Sequence, residues 1–416
     1  MRRPLYGWLA ADGLSVTGTR VSMLAIPLFV LEQTGSATQT GLVALAEMLP
    51  LVVFKVLGGP VIDRLGARRV AITCDVASLF VVASIPLLYD AGLLSFPAFL
   101  ALVAVAGALR GPGDGAKHAM VPALVEAAGV PMERATGLGS TVERTASMLG
   151  AGVAGVLVAT LGAQNALLVD AASFGLSALV LAWATVGIGS AAAVDDGADG
   201  APYVEQLREG WDFLRRDPLL LGISVMVAVT NLFDAAWSSV LMPVWSVESG
   251  RGAAALGLLF AVFSGASALG AVCAAVWAVR LPRFKVYLVA FLVAGVPRFA
   301  VFVVDTPLAG IVAVFVAGGF ASGFLNPVLG AVIFERIPAP LVGRVSSLTT
   351  AMCFALMPLG GLLGGLLVDG GSLAIAMAVT GVAYFVATML PAVDPRWRAM
   401  DDRPGKSSDP AAAGVS

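Results

Sequence analysis

Long runs of apolar residues recur along the whole chain, separated by short turns rich in polar residues, glycine or proline. A helix needs about 20 mostly apolar residues to cross a bilayer, and twelve runs reach that length. They extend approximately over Tyr6–Leu31, Gly41–Ile62, Val70–Tyr89, Phe96–Ala116, Leu138–Leu161, Asn165–Ile188, Leu219–Val247, Ala255–Val279, Val286–Val304, Leu308–Phe334, Ser347–Val368 and Ser372–Leu390. The pattern therefore predicts an all-α integral membrane protein with twelve transmembrane helices.

The longest polar break divides these runs into two groups of six. It contains the sequence VDDGADG, and apolar residues recur at helical spacing after Pro202. That spacing predicts either an amphipathic helix on the inner membrane surface or a solvated linker helix. We predict four regions: an N-terminal six-helix bundle over 1–189, a cytoplasmic linker over 190–218, a C-terminal six-helix bundle over 219–391 and a disordered cytoplasmic tail over 392–416.

The two groups of six also share a sequence pattern. A shift of 210 positions places Leu149–Val158 on Leu359–Val368, and the same shift places Arg134 on Arg344. This internal repeat predicts two pseudo-symmetric bundles, an arrangement that transporters use to rock about a site near the membrane midplane.

The distribution of cations predicts the orientation in the membrane. With the N-terminus in the cytoplasm, 20 of the 25 Lys and Arg residues lie in inner segments or at inner helix ends, and Arg251 alone lies in an outer loop. The positive-inside rule then places both termini in the cytoplasm of a multi-pass protein of the cell membrane. The start, MRRPLYGWLAADG, is interpreted as a retained first span, because Asp12 interrupts the apolar stretch of a signal peptide.

Composition excludes several classes of function. The chain is 58% hydrophobic and 12% charged, and its net charge of -2 gives no basic excess for nucleic acid. One histidine, His118, and three cysteines far apart in sequence form no metal-ligand cluster. No phosphate-binding loop and no compact set of nucleophile, acid and base occurs. We therefore expect no metal, no cofactor, no nucleic acid and no enzymatic activity.

A motif between the second and third predicted spans resembles a known family. The segment GGPVIDRLGARRV is similar to the pattern G-x-L-x-D-R-x-G-R-R of the major facilitator superfamily, with Val61 and Ala67 as departures. The matching residues are Gly59, Asp63, Arg64, Gly66 and Arg68, with Arg69 directly after them. The resemblance implies a gating motif whose partner is the eleventh helix. A basic loop that only sets the topology is the alternative.

Other stretches narrow the resemblance to the drug and siderophore exporter branch, which includes macrolide efflux and enterobactin export proteins. They are the run from Ser15 to Pro50, VDAASFGLSALVL and LREGWDFLRRDPLL. Arg110 in ALRGPGDG is similar to an R-x-x-x-G element of antiporters. The fifth span lacks the proline of the antiport element G-P-x-x-G-G, which leaves the direction of transport open. Four glycines, at two pairs of repeat-related positions, are predicted to pack helices closely: Gly150, Gly155, Gly360 and Gly365.

Ionisable residues within the spans are the candidates for function, because each costs about 2.5 to 3.5 kcal/mol to insert. The resemblance implies that helices 1, 4, 7 and 10 line a central cavity. The predicted coupling and cavity residues are Asp12, Arg20, Glu47, Lys55, Arg110, Asp114, Asn231, Asp234 and Asn326. Depth within the helices permits a pair between Asp12 and Lys55, and Arg110 and Asp114 share a face. Structural ion pairs fit the same residues.

The leading hypothesis is proton-coupled export of an amphipathic small molecule, such as a drug, antibiotic, siderophore or other metabolite, by alternating access. Asp12, Glu47 and Asp234 are the predicted proton carriers, and Arg110 is the charge that is alternately paired and released. The expected partners are the lipid bilayer, the small-molecule substrate and protons, and the protein is expected to act as a monomer. Uptake or facilitated diffusion of a polar solute is the alternative, and a polytopic membrane enzyme or sensor is a remote one.

Overall fold

The computed structural model describes residues 3–187, 203–277, 280–304, 306–338 and 341–402, and these ranges contain helices but no strand. The helices of the N-terminal half are α1 (Arg3–Thr34), α2 (Ala37–Leu57), α3 (Gly59–Leu65), α4 (Ala67–Asp90), α5 (Phe96–Ala119), α6 (Val121–Ala128), α7 (Met132–Leu161) and α8 (Ala163–Ala184). The first part of the predicted linker and residues 403–416 of the predicted tail lie outside the described residues.

The C-terminal half is also helical. Its helices are α9 (Tyr203–Arg216), α10 (Pro218–Ala236), a π-helical turn (Trp237–Leu241), α11 (Met242–Glu248), α12 (Gly252–Trp277), α13 (Arg283–Ala294), α14 (Val296–Ala300), α15 (Leu308–Ser322), α16 (Leu325–Arg336), α17 (Val342–Ala355), α18 (Met357–Asp369) and α19 (Leu373–Met389). Two 3₁₀ turns follow, at Leu390–Ala392 and Pro395–Asp401. The helix predicted after Pro202 is present as α9.

Eleven helices in the described part of the chain are long and apolar enough to cross a membrane. They match eleven of the predicted spans. The ninth predicted span, Val286–Val304, is divided between α13 and α14. The break lies at Gly295, whose φ of -87° and ψ of -81° depart from helical values, and Pro297 follows two residues later. Proline has no N–H to continue the helical hydrogen bonds, so two short helices replace one long one.

Side chains at several helix ends fix where the helices begin. The Ser36 hydroxyl accepts a hydrogen bond from the Gln39 backbone N–H at 3.2 Å and caps α2. Ser95 caps α5 in the same way through the Ala98 N–H. Gly66, with a φ of +86°, turns the chain between α3 and α4. These capping residues and this glycine set the helix boundaries between successive apolar runs.

The chain divides into two compact units. The first unit comprises Met1–Asp199, Leu232–Gly265 and Ala355–Met377, and the second comprises Gly200–Asn231, Ala266–Phe354 and Ala378–Ser416. In the first unit α1 packs against α7 and α8, α2 packs against α5 and α18, and α4 packs against α5 and α8. The predicted boundaries of the four regions stay predictions.

Glycines allow the closest helix crossings of the first unit. A Cβ atom added at Gly155 of α7 would lie 2.8 Å from the Gly257 Cα of α12, and one at Gly365 of α18 would lie 2.7 Å from the Thr38 Cα of α2. Two other glycines were predicted to pack helices: a Cβ atom added at Gly360 would lie 2.7 Å from the Ala235 Cβ, and one at Gly150 would lie 3.1 Å from the Arg20 Cβ. Close approach of this kind holds helices together where no hydrophobic effect acts between them.

Aromatic packing and ion pairs hold the second unit. Tyr287 is fully buried and donates a hydrogen bond from its hydroxyl to the Thr388 carbonyl at 2.8 Å. Arg283 forms two hydrogen bonds to Glu335, at 2.7 and 2.6 Å, and these raise the pKa of its guanidinium. Leu214 of α9 is also fully buried, so this helix is anchored near its C-terminal end.

Candidate functional site

A buried ion pair joins α2 and α5 in the first unit. Arg110 Nη1 donates a hydrogen bond to Glu47 Oε1 at 2.5 Å, and the side chains are 13% and 10% exposed. Gly107, one turn before Arg110, lets α5 lie directly against the backbone of Glu47. The close crossing thus brings the two charges together, and pairing offsets part of the cost of placing each one in the membrane.

Glu47 also lines a small cleft in the first unit. The cleft lies between α1, α2 and the π-helical turn. Its lining residues are Met23, Ile26, Pro27, Thr40, Val43, Ala44, Glu47, Met48, Ser238 and Ser239. A mostly apolar wall with a few convergent polar groups is typical of small-molecule sites, and π-helical turns are frequent at functional sites.

Further carboxylates surround the Arg110 charge. Besides Glu47, the charges of Asp114 and Asp170 stabilise the Arg110 guanidinium. Asp170 of α8 is 1% exposed and accepts a hydrogen bond from the Ser22 hydroxyl of α1. Arg110 is therefore paired with Glu47 of α2, and acidic residues of α5 and α8 also act on its charge.

A second buried ion pair, which the sequence analysis missed, joins α4 and α5. Lys117 Nζ lies 3.0 Å from Asp75 Oδ1, and the side chains are 1% and 4% exposed. Lys117 also donates to the Ser15 hydroxyl at 2.9 Å, and the Ser177 hydroxyl donates to Asp75 at 2.6 Å. Lys117 is one of the 20 cations that the sequence analysis counts in inner segments and at inner helix ends. Its position seven residues after Arg110, which puts both on one face of α5, was the signal available.

The remaining candidates of the N-terminal half are not among the residues that line the cleft. Asp12 is half-buried, and the charges that act on it are those of Lys117, His118, Asp114 and Glu143. The predicted depths of the residues in the membrane permit a pair between Lys55 and Asp12. Lys55 is exposed near the end of α2. Arg20 donates hydrogen bonds to the Ser147 hydroxyl at 2.9 Å and to Met23 Sδ at 3.3 Å. His118 is exposed, as expected.

Three candidates come from the C-terminal half. Asn231 Nδ2 donates a hydrogen bond to the Cys353 carbonyl at 2.9 Å, within the second unit. The backbone carbonyl of Asp234 accepts from the Ser238 hydroxyl at 2.8 Å, at the start of the π-helical turn. Asn326 is exposed. Among the nine predicted cavity residues, Glu47 is the one that lines the cleft described above.

The predicted gating motif forms the short helix α3 and the first turn of α4. Arg68 donates hydrogen bonds to the Thr185 hydroxyl at 2.9 Å and to the Ala182 carbonyl at 2.8 Å. A cation at the C-terminal end of α8 is favourable because free carbonyls and the helix dipole point there. Asp63, Arg64 and Arg69 are exposed, and so is Gly59. The motif is thus anchored to α8, and the predicted contact with the eleventh helix stays a prediction.

The fold and the buried ion pairs define a polytopic helical membrane protein. Comparison with known families then assigns this protein to a family. The model of the Major Facilitator Superfamily matches residues 10–252 and 225–413. The chain belongs to the major facilitator superfamily. It is therefore a transport protein and not an enzyme, and the fold class predicted from the sequence is confirmed.

Sequence relatives that match this chain over nearly its full length include drug pumps. The chain is 29% identical over 402 residues to the "Multidrug efflux pump Tap" of Mycobacterium tuberculosis, covering 94% of both chains. It is 28% identical over 405 residues to the "Multidrug efflux pump Tap" of Mycolicibacterium fortuitum, covering 96% of this chain and 98% of that protein. These matches support the drug exporter branch to which the motifs pointed.

Solved structures share the fold. The nucleoside transporter NupG superposes with a TM-score of 0.74 at 13% identity, covering 96% of this chain and 99% of that one. A D-xylose-proton symporter superposes with a TM-score of 0.69 at 13% identity, covering 93% and 96%. At this identity the likeness shows the transporter fold alone.

Proposed function

We propose that this protein is a proton-coupled exporter of amphipathic small molecules that works by alternating access. The observation that carries the proposal is the double role of Glu47, which lines the cleft and is paired with Arg110 at 2.5 Å. The Glu47 carboxylate can therefore contact the bound substrate and can also take up a proton. Binding and protonation at one carboxylate are therefore linked.

The coupling step follows from the charges around Arg110. With Glu47 ionised, the pair with Arg110 is neutral. When Glu47 takes up a proton, the pair loses its attraction, and Asp114 and Asp170 are the other acidic residues that act on the Arg110 charge. The protonated carboxyl group then presents an O–H donor to the cleft instead of an acceptor. Release of the proton on the other side of the membrane restores the pair.

The cleft supports an amphipathic substrate. Its apolar lining, which includes Met23 and Met48, adapts to different shapes because methionine side chains are flexible and polarisable. The hydroxyl groups of Thr40, Ser238 and Ser239 supply hydrogen bonds to the polar part. The likeness to the Tap efflux pumps supports export rather than uptake. We further propose that the protein is a monomer in the cell membrane with both termini in the cytoplasm.

Everted membrane vesicles test the proposal. The lumen is acidified, and accumulation of fluorescent amphiphiles with cationic, neutral and anionic headgroups is measured. The wild-type protein should concentrate at least one probe in the lumen, and Glu47→Gln should abolish the response to the proton gradient. Asp12→Asn and Asp234→Asn test the two other predicted carriers, and the exposed Glu248→Gln is the matched control.

The outcomes separate the alternatives. Loss of probe from the lumen would favour uptake, the alternative direction. Unchanged proton coupling in Glu47→Gln would exclude Glu47 as the carrier. An ion gradient that moves none of the probes would contradict proton-coupled transport of amphiphiles.

A further inference from the structure

Arg20 on α1 is a cation whose hydrogen-bond donors are only partly used. Its guanidinium donates to the Ser147 hydroxyl and to Met23 Sδ, both uncharged groups. Its Nε atom is buried and has no hydrogen-bond partner. Within the part of the chain that the structure describes, Arg20 takes part in no ion pair. A guanidinium carries five N–H donors, so donors remain for another group.

The charges around Arg20 do not neutralise it. The positive charge of Arg110 acts on it unfavourably, and the carboxylate of Glu143 acts on it favourably from an exposed side chain of α7. Arg110 itself is paired with Glu47. Arginine within a membrane span is normally paired, because an isolated charge there is costly. An arginine left with hydroxyl and sulfur partners is therefore suited to receive an anion from outside the chain.

Arg20 lies beside the cleft rather than in an unrelated part of the first unit. Met23, which accepts the hydrogen bond from Arg20 Nη1 at 3.3 Å, is part of the cleft wall. The one carboxylate in that wall, Glu47, already has a cation. The cation next to this wall, Arg20, has no carboxylate in contact with it among the described residues.

We propose that Arg20 binds an anionic group of the transported molecule, such as a carboxylate or an ionised phenol or enol, while the apolar body of that molecule lies in the cleft. The substrates are then amphipathic anions and zwitterions. This inference rests on the proposed function, because it takes the cleft as the substrate site. The planar guanidinium suits such groups, since two parallel N–H donors match two anionic oxygens.

Two probes that differ only in the headgroup test the proposal. Dansyl-11-aminoundecanoic acid carries a carboxylate, and its primary amide is neutral with the same apolar body. Binding of each to the purified protein in detergent is measured by dansyl fluorescence at pH 7.5. The wild-type protein should bind the carboxylate about tenfold more tightly than the amide, because charge-assisted hydrogen bonds contribute at least that factor.

Variants assign the preference to Arg20. Arg20→Gln should reduce the ratio of the two affinities to about one, and Arg20→Lys should give an intermediate ratio because lysine lacks the planar fork. Arg144→Gln removes an exposed cation from the same helix as Ser147 and should keep the wild-type ratio. Glu143→Gln should also keep the preference.

Several results would overturn the inference. Equal binding of the two probes by the wild-type protein is one, and this measurement does not depend on the folding of any variant. An unchanged ratio in Arg20→Gln is another. A preference for the carboxylate that is absent from the wild-type protein and present in Glu143→Gln would assign Arg20 to a structural pair with Glu143. Because binding needs no gradient, a preference for the carboxylate without proton-driven transport would refute the proposed function alone, and transport without the preference would refute this inference alone.

Discussion

The carboxylate of Asp369, the last residue of α18, accepts a hydrogen bond from the backbone N–H of Thr38 in the first turn of α2 at 2.8 Å. It also accepts from the Ala37 N–H at 3.1 Å and from the Ser36 hydroxyl at 2.9 Å. One helix thereby caps the start of another, directly above the crossing at Gly365. The capping contact and the glycine crossing together close the ends of α2 and α18 against each other.

Asp369→Asn should loosen this contact, because an amide interacts less favourably than a carboxylate with backbone N–H groups at a helix start. Loss of a cap costs about 0.5 to 2 kcal/mol. Hydrogen exchange measured by mass spectrometry should therefore become faster for the first turn of α2. The exposed Asp402→Asn serves as control. Equal protection of the α2 peptide in wild type and variant would show that Asp369 does not hold this end closed.

The Lys117–Asp75 pair should respond differently to single and double substitution. Lys117→Met leaves the Asp75 carboxylate buried without its cation, and removal of one partner of a buried pair costs about 3 to 5 kcal/mol. Lys117→Met combined with Asp75→Asn removes both charges and should restore much of the loss. Thermal unfolding of the detergent-solubilised variants measures the effect. Additive losses in the double variant would contradict a direct interaction between the two side chains.

Gly155→Ala should destabilise the crossing of α7 and α12. The added methyl group would meet backbone atoms of Gly257 and Ala253 at 2.8 and 2.9 Å, and backbone cannot move aside as a side chain can. Overpacking of this kind costs about 1 to 3 kcal/mol. Gly137→Ala on the same helix is the control, because a Cβ there meets no atom within 4 Å. The midpoint of thermal unfolding should fall for the first variant and hold or rise for the second.

Ser239→Phe should block the cleft. Ser239 belongs to the π-helical turn that forms part of the cleft wall, so a phenyl ring there takes up space that the substrate needs. Binding of the dansyl probes should weaken by about tenfold or more, because the probe loses apolar contacts with the cleft wall that the phenyl ring displaces. Ser249→Phe, at the exposed end of α11, makes the same change away from the cleft. Equal binding in both variants would place the probe elsewhere.

The helices were predictable because the bilayer restricts the options of the chain. Apolar length sets each span, and the backbone must satisfy its own hydrogen bonds in lipid. The single helix predicted over Val286–Val304 is interrupted at Gly295. The apolar run continues through this position, and the break depends on the backbone conformation of Gly295. The family motif was recognisable, but its anchoring through Arg68 to the end of α8 depends on contacts far apart in sequence.

The partners of the buried charges were less predictable than the charges themselves. Glu47 and Arg110 were both identified as functional candidates, yet the sequence suggested Asp114 as the neighbour of Arg110 on its own helix. The pair with Glu47 depends on how α2 and α5 are rotated about their axes, which Gly107 permits but apolar length does not encode. Lys117 was missed because it lies at the end of an apolar run, where lysine usually reaches water.

The enclosure of Lys117 with Asp75 also bears on how this protein can diverge over generations. A single codon change at either position leaves an orphan charge, whereas exchange of the two together leaves a neutral interior. Descendants of the gene should therefore carry both residues or neither, and intermediates with one of them should be rare. An alignment of many relatives would reveal this as correlated substitution at positions 75 and 117.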